Sequence, residues 1–302
     1  MKRVLFLVNA ASGMKNAVSN LFNMVTILTK NDCLVTVYPI IPSDGLVSEN
    51  VPDILKERDF DVIACCGGDG TLNHVVNMMM KNDIHLPVGY IPTGSTNDFS
   101  RSMNQGKSLS LEEQCLAIAK GNTLTSDIGK LNDMYFNYVA AFGAFTKVSY
   151  DTPQKWKNAL GYGAYVLKMI SDLPGGLTYR KHVRYEYDGG IGEGEFIFGA
   201  VSNTLSVAGI KSPLVKNSVL NDGKFEVILI SAPKNINDMN LIVQKMLSGN
   251  TDDMHVIKFE TSHIKFYFDE DMNWTLDGEE YCGGKEAEIL NCHESIKLFI
   301  AE

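Results

Sequence analysis

The sequence of 302 residues lacks the marks of several protein classes. No stretch approaches the roughly 18 consecutive apolar residues that a membrane-spanning helix needs. The six cysteines include no CxxC pair, which disfavours a zinc ribbon or a redox motif. HExxH and GxSxG sequences are also absent, so neither zinc catalysis nor an α/β-hydrolase triad is supported.

Positive charge is scarce as well, since 36 acidic residues outnumber 27 basic ones and the formal net charge is -9. Nucleic-acid-binding proteins usually carry a basic face, and polybasic lipid anchors need clustered lysine or arginine. We therefore expect no nucleic-acid partner and no charge-driven membrane anchor. The apolar run from Val4 to Val8 is too short for a signal peptide, and the cysteines suit a reducing compartment. The expected location is the cytoplasm, with only transient contact with a membrane surface.

The order of apolar patterns predicts two domains, which also suits the length of the chain. Residues 1–124 alternate strand-like and helix-like segments, which predicts a doubly wound parallel sheet with helices on both faces. Residues 125–292 are mostly strand-like segments separated by turns, which predicts a mainly antiparallel, sandwich-like β domain. The expected strands are residues 4–8, 34–41, 61–66, 87–91, 135–142, 177–187, 195–201, 225–230, 256–268 and 296–300, and the expected helices are residues 15–30, 46–58, 71–80, 156–171 and 236–247.

The most informative motif is Gly67-Gly68-Asp69-Gly70-Thr71, directly after a predicted buried strand. Glycines allow a tight turn and let an anion approach backbone N–H groups, and the positive end of the following helix points at the same place. A carboxylate beside phosphate requires a cation or a transferable proton, so Asp69 indicates a magnesium-assisted reaction or a general base. The alternative is a plain strand-to-helix turn in which Asp69 caps the helix.

Two other polar loops follow neighbouring strands of the predicted sheet. Because the carboxyl ends of parallel strands meet at one edge, the loop after residues 87–91 is expected to bind a nucleotide beside the glycine turn, and the loop after residues 4–8 could add a third phosphate contact there. The second loop carries Thr93, Gly94, Ser95, Thr96, Asn97 and Asp98, and the first carries Asn9 and Ser12. The alternatives are a helix N-cap box for the second loop and a plain connection for the first.

Two acidic turns stand out in the second domain. Asp277-Gly278-Glu279 lies between strand-like segments, where Asp-Gly is a common hairpin turn. Its functional interpretation is that it supplies carboxylates to an active-site cleft. Asp222, followed by Gly223, has the same two interpretations and could also hold a structural cation.

In this order, the motifs resemble those of the bacterial diacylglycerol-kinase and sphingosine-kinase-like family. The resemblance covers nearly the whole chain, and the combination of GGDGT, PTGSTNDF and a distal DGE is far more specific than GGDGT alone. It is carried by Asn9 to Gly13, Gly67 to Asn73, Pro92 to Arg101, Asp127-Ile128-Gly129, Phe136-Asn137, Gly143, Asn221 to Phe225 and Leu276 to Glu279.

The resemblance implies phosphoryl transfer from ATP to an alcohol with Mg2+, in a cleft between the two domains, with residues 293–302 returning to the first. Gly68, Gly70, Thr71, Thr93 and Asn97 would contact the nucleotide, beside Gly67, Gly94, Ser95 and Thr96. Asp69 would lie near the transferred phosphate in a network with Asp127 and magnesium. Glu279, supported by Asp277, would be the base. Asp222 would hold a structural magnesium ion.

The sequence departs from the family pattern at Ala10, where proline is usual, and at His74, where glutamate is usual. Of three functions, the first is the leading interpretation and the other two are alternatives. The first is a kinase of diacylglycerol or a related lipid taken from a membrane surface. The second is a kinase of a soluble hydroxyl compound such as NAD or a sugar phosphate. The third is a nucleotide-binding regulator without catalysis. A homodimer is left open.

Overall fold

The computed structural model describes residues 1–10, 16–41, 47–94, 97–104, 107–143, 179–203, 206–207, 210–211, 219–251 and 254–301. The chain divides into two compact units, Met1–Ile128 with His293–Glu302, and Gly129–Cys292. The helix expected at residues 156–171 lies outside the described residues.

The strands are β1 (Lys2–Asn9), β2 (Cys33–Ile40), β3 (Val62–Gly67), β4 (Val88–Pro92), β5 (Asn122–Leu131), β6 (Met134–Phe136), β7 (Val139–Gly143), β8 (Lys181–Tyr187), β9 (Gly190–Ser202), β10 (Ser206–Val207), β11 (Ile210–Lys211), β12 (Phe225–Ser231), β13 (Val256–Thr261), β14 (His263–Leu276) and β15 (Glu279–Ile300). The α-helices are α1 (Asn16–Lys30), α2 (Val51–Glu57), α3 (Asp69–Lys81), α4 (Asp98–Met103), α5 (Leu111–Lys120) and α6 (Ile236–Ser248), and a 3-10 helix spans Ser48–Asn50.

The first unit contains a parallel sheet with the strand order β2, β1, β3, β4, followed by the end of β15, where Leu298 pairs with Val88. Alternate residues of β1 pack with α1 and α5 on one face of the sheet. Leu5 and Leu7 lie between those residues and are fully buried, so the other face is covered as well. Burial on both faces explains why β1 and β3 are continuous apolar runs in the sequence.

The second unit is antiparallel. Strand β9 pairs with β7, β8 and β12, and β14 pairs with β7, β8 and β15. Its core contains a cluster of aromatic rings in which Phe142 and Trp274 have centroids 4.9 Å apart and Phe142 and Phe268 are 5.1 Å apart. Phe268 and Trp274 are buried residues of β14, and Phe142 lies on the neighbouring strand β7.

The mixture of α/β and mainly antiparallel strands agrees with the predicted fold class, but several element boundaries differ. The segment expected as one strand over residues 256–268 is two strands, which separate at Ser262. Strand β5 was not predicted, and it continues through the boundary expected at residue 124. Helix α3 begins at Asp69, two residues earlier than expected. Among the described residues, no helix is both long enough and apolar enough to cross a membrane.

Candidate active site

The glycine turn joins β3 to α3 without a side-chain cap. Gly68 is the N-cap residue, with extended backbone angles of φ -84 and ψ -179, and Asp69 is the first helical residue. The alternative in which Asp69 itself caps the helix is therefore wrong. Gly67 must be a glycine here, because a Cβ atom would lie 2.5 Å from the Thr71 Oγ1 atom. Gly67 and Gly68 consequently leave backbone groups uncovered by side chains directly before α3.

The half-buried carboxylate of Asp69 is held by a residue that the sequence motifs did not identify. The hydroxyl group of Tyr90 donates a hydrogen bond to Asp69 Oδ1 over 3.2 Å. Tyr90 lies on β4, the strand next to β3, and its side chain is almost fully buried. The only feature of the sequence that could have identified Tyr90 is its position just before the Pro92 loop. A tyrosine in a buried strand is usually a packing residue, so this feature alone does not indicate contact with a carboxylate.

The second polar loop lies directly against the glycine turn. The backbone N–H of Thr93 donates to the carbonyl oxygen of Gly67 over 2.8 Å. A Cβ atom on Gly94 would lie 2.8 Å from Gly68 Cα and 2.9 Å from Asn97 Oδ1. The structure thus brings these five predicted residues together at the end of two adjacent strands.

Asn97 has the backbone geometry of a specialised position. Its φ is 51, in the left-handed region that few side chains adopt, and its amide nitrogen donates to the Gly94 carbonyl oxygen over 2.8 Å. Its Oδ1 atom is buried and has no hydrogen-bond partner among the described residues. A buried acceptor of this kind is costly unless a donor reaches it, so a ligand that carries a donor fits here.

The first loop reaches the same edge through Asn9. The side-chain amide of Asn9, at the end of β1, donates to Thr71 Oγ1 over 2.8 Å. Ser12, Ser95 and Thr96 lie outside the described residues. The described residues therefore place the ends of β1, β3 and β4 beside the start of α3, where open α/β sheets bind ligands.

Asp127 is fully buried on β5, in the first unit. Its Oδ1 atom accepts a hydrogen bond from the backbone N–H of Glu294 over 2.7 Å and lies 2.9 Å from the Nδ1 atom of His293. A carboxylate only accepts, so Nδ1 carries the hydrogen of this contact. His293 was also missed by the sequence analysis, because nothing in the sequence connects two residues so far apart.

The Asp277 turn is the hairpin between β14 and β15. Asp277 has φ 48 and Gly278 has φ 101, as a two-residue hairpin turn requires. The Asp277 carboxylate is buried and accepts hydrogen bonds from the backbone N–H groups of three successive residues, Asn137, Tyr138 and Val139. Its first role in the structure is to join this hairpin to the start of β7.

Glu279 and Asp222 both lie at exposed positions of the second unit. The side chain of Glu279 is exposed. Asp222 is also exposed, and its Oδ1 atom accepts a hydrogen bond from the backbone N–H of Lys224 over 3.0 Å. Among the described residues, no three histidine, cysteine or acidic side chains gather as a metal-binding group. The structure thus brings the described nucleotide-loop residues together at one edge of the first unit.

Comparison with known proteins identifies the family. Residues 3–131 match the family model of the diacylglycerol kinase catalytic domain. A diacylglycerol kinase of Bacillus subtilis (strain 168) is 34% identical over 241 residues, which cover 80% of this chain and 78% of that protein. One from Staphylococcus epidermidis (strain ATCC 12228 / FDA PCI 1200) is 35% identical over 244 residues, covering 80% of this chain and 75% of the relative.

The fold is shared with a solved structure. A crystal structure of a diacylglycerol kinase from Bacillus anthracis str. Sterne superposes with a TM-score of 0.75 at 22% identity, and covers 99% of this chain and 96% of that one. The resemblance and the kinase class predicted from the sequence motifs are therefore confirmed, and this chain belongs to the diacylglycerol kinase family.

Proposed function

We propose that the protein transfers the γ-phosphoryl group of ATP to the hydroxyl group of diacylglycerol or a related neutral lipid, with magnesium. The observation that carries this proposal is the contact between the two glycine loops, in which Gly94 lies against Gly68 and Thr93 donates to Gly67. Gly94 has no room for a side chain at this contact, so backbone N–H groups and the start of α3 would face a phosphate chain.

The nucleotide is proposed to bind along this edge of the first unit. Gly68, Gly70 and Thr71 would face the phosphates at the positive end of α3. Thr93 and Asn97 would contact the rest of the nucleotide, and the buried Oδ1 atom of Asn97 would accept a hydrogen bond from it. Asn9 supports Thr71 through its side-chain amide.

The residues present fit a magnesium ion held mainly by the substrate. Magnesium usually binds one or two carboxylates together with phosphate oxygens and water, so a cluster of acidic side chains is not needed. Asp69 would hold it, and when bound it would neutralise charge on the phosphates. Tyr90 keeps the Asp69 carboxylate in place, and Asp127 would complete the same network.

The acceptor hydroxyl needs a group that takes its proton, and Glu279 is proposed for that role. Its exposure leaves its carboxylate accessible, whereas that of Asp277 is occupied by backbone donors. Asp277 would therefore support Glu279 by fixing the hairpin that carries it.

The second unit is proposed to bind the lipid, and the first unit, together with residues 293–302, is proposed to bind ATP. Asp222 would hold a structural ion with backbone carbonyl oxygens as further ligands.

A test of this function uses the full chain with labelled ATP and magnesium, offered separately diacylglycerol in mixed micelles, NAD and a sugar phosphate. The expected result is label in the lipid product alone, with transfer lost when magnesium is chelated. Label in NAD or a sugar phosphate without label in any lipid would overturn the lipid assignment. Magnesium-dependent ATP binding without transfer to any acceptor would favour a regulator.

A further inference from the structure

The buried Asp127 carboxylate contacts the last strand of the chain at two successive residues. His293 approaches it with the Nδ1 atom and Glu294 with the backbone N–H, and both contacts end on the same oxygen, Oδ1. The Asp127 side chain is 0% exposed, whereas that of His293 is 55% exposed. The histidine thus lies at the surface, while the carboxylate that it contacts is buried.

The backbone of Glu294 has a strained conformation at the residue that makes this contact. Glu294 has φ 50 inside a strand, in the left-handed region that costs a non-glycine residue energy. Its N–H donates to Asp127 Oδ1, and its carboxylate accepts from the Thr125 hydroxyl over 2.9 Å. A conformation of this kind persists only where the surroundings hold it, and here β5 holds it through Thr125 and Asp127.

A fully buried carboxylate needs donors, and it takes the orientation that its donors set. With two donors on Oδ1, rotation of the carboxylate about its Cβ–Cγ bond would break both contacts at once. The two donors therefore hold the carboxylate in one orientation. An imidazole that is hydrogen-bonded to a carboxylate in this way is a common means of fixing the orientation of both groups.

We propose that His293 is a positioning residue, which orients the Asp127 carboxylate for phosphoryl transfer from the C-terminal strand. This inference rests on the proposed function, because Asp127 acquires a role in transfer only there. Loss of the Nδ1 donor should lower kcat by about 10- to 100-fold, the range seen when groups that orient a functional residue are removed. The KM values for ATP and lipid should stay within about twofold, since His293 contacts neither in this assignment.

The test uses two substitutions that differ in where they place a donor. Asparagine places its side-chain N–H near the position of Nδ1, whereas glutamine places it near the position of Nε2. His293→Asn should therefore keep most of the wild-type kcat, and His293→Gln should lose it. Glu294→Gly retains the backbone N–H and removes the φ strain, so it should keep kcat as well.

A readout independent of turnover is the proton NMR signal of the Nδ1 hydrogen, which should disappear in Asp127→Ala and in His293→Gln. Thermal melting of each variant controls for folding. Equal kcat in His293→Asn and His293→Gln, or a loss in Glu294→Gly as large as that in His293→Gln, would overturn the assignment. If wild type itself transfers no phosphate while the NMR signal is present, the proposed function fails instead.

Discussion

Gly94 lies so close to Gly68 that a Cβ atom on Gly94 would be 2.8 Å from the Gly68 Cα atom. This contact joins two loops that lie in separate segments of the sequence. The loops follow the adjacent strands β3 and β4. A gap between the loops would leave the glycine turn as an ordinary strand-to-helix connection. Their contact is the reason to assign a nucleotide to this edge.

Gly94→Ala should therefore separate the loops and weaken the binding of ATP with magnesium by more than about tenfold, measured by calorimetry. The added methyl group meets the backbone, which cannot rotate away, so a loss of stability of about 1–3 kcal/mol is also expected. Gly89→Ala, on the strand that precedes the loop, is a matched control, because its methyl group would meet Ile118 in the core at 2.4 Å. It should lower stability but leave ATP affinity within about twofold, and a loss of affinity as large as that in Gly94→Ala would argue against a specific loop contact.

The two carboxylates of the hairpin between β14 and β15 should respond differently to neutralisation. Asp277→Asn should destabilise the protein by about 2–4 kcal/mol, because a charged acceptor of three buried N–H groups is replaced by a weaker one. Glu279→Gln should change the free energy of unfolding by less than about 0.5 kcal/mol, because Glu279 is exposed. Its kcat should nevertheless fall by about 100-fold or more if it is the base. Denaturant unfolding and steady-state kinetics separate the two effects, and full activity in Glu279→Gln would exclude it as the base.

Asp188 should make the free energy of unfolding of the second unit depend on pH in the acidic range. Ser262 donates to its Oδ2 atom from the side chain over 2.7 Å and from the backbone over 2.9 Å. The Ser262 hydroxyl, followed by its backbone N–H, lowers the pKa of Asp188 from its usual 3.8. A carboxyl with a lowered folded-state pKa stabilises the protein above its unfolded pKa, and that contribution is lost as the pH falls through the folded value. Unfolding free energies from pH 6 to pH 2 should fall less steeply in Asp188→Asn, and parallel curves would contradict this.

The loops of the site could be predicted from the sequence because each follows a continuous apolar run, and such runs are the pattern of buried parallel strands. Strand β5 was not predicted because Asn122, Thr123 and Thr125 interrupt its apolar pattern and because its buried residues include Asp127. The division of residues 256–268 into two strands was missed because Ser262 is one polar residue within an alternating segment.

The contacts that orient the carboxylates could not be predicted. Tyr90 and His293 lie on strands other than those that precede or carry the carboxylates they contact. The N–H groups that bind Asp277 belong to the start of β7 and to the two residues before it, so only the three-dimensional pairing of the strands brings all these groups near. A buried tyrosine or an exposed histidine has no pattern in the sequence that separates support of a carboxylate from packing. The alternative interpretation of Asp277 as a hairpin residue was correct, and its burial adds the structural role.

The central claim is that a lipid hydroxyl is phosphorylated at the glycine turn that carries Asp69. The most direct measurement compares wild type and Asp69→Asn for transfer of labelled phosphate from ATP to diacylglycerol in mixed micelles with magnesium, with melting temperature as the control for folding. Wild type should form labelled phospholipid, and Asp69→Asn should melt within a few degrees of it while its kcat is lower by about 100-fold or more. Transfer by Asp69→Asn at a rate within about threefold of wild type would contradict the claim, because it corresponds to a rise of less than about 1 kcal/mol in the activation free energy.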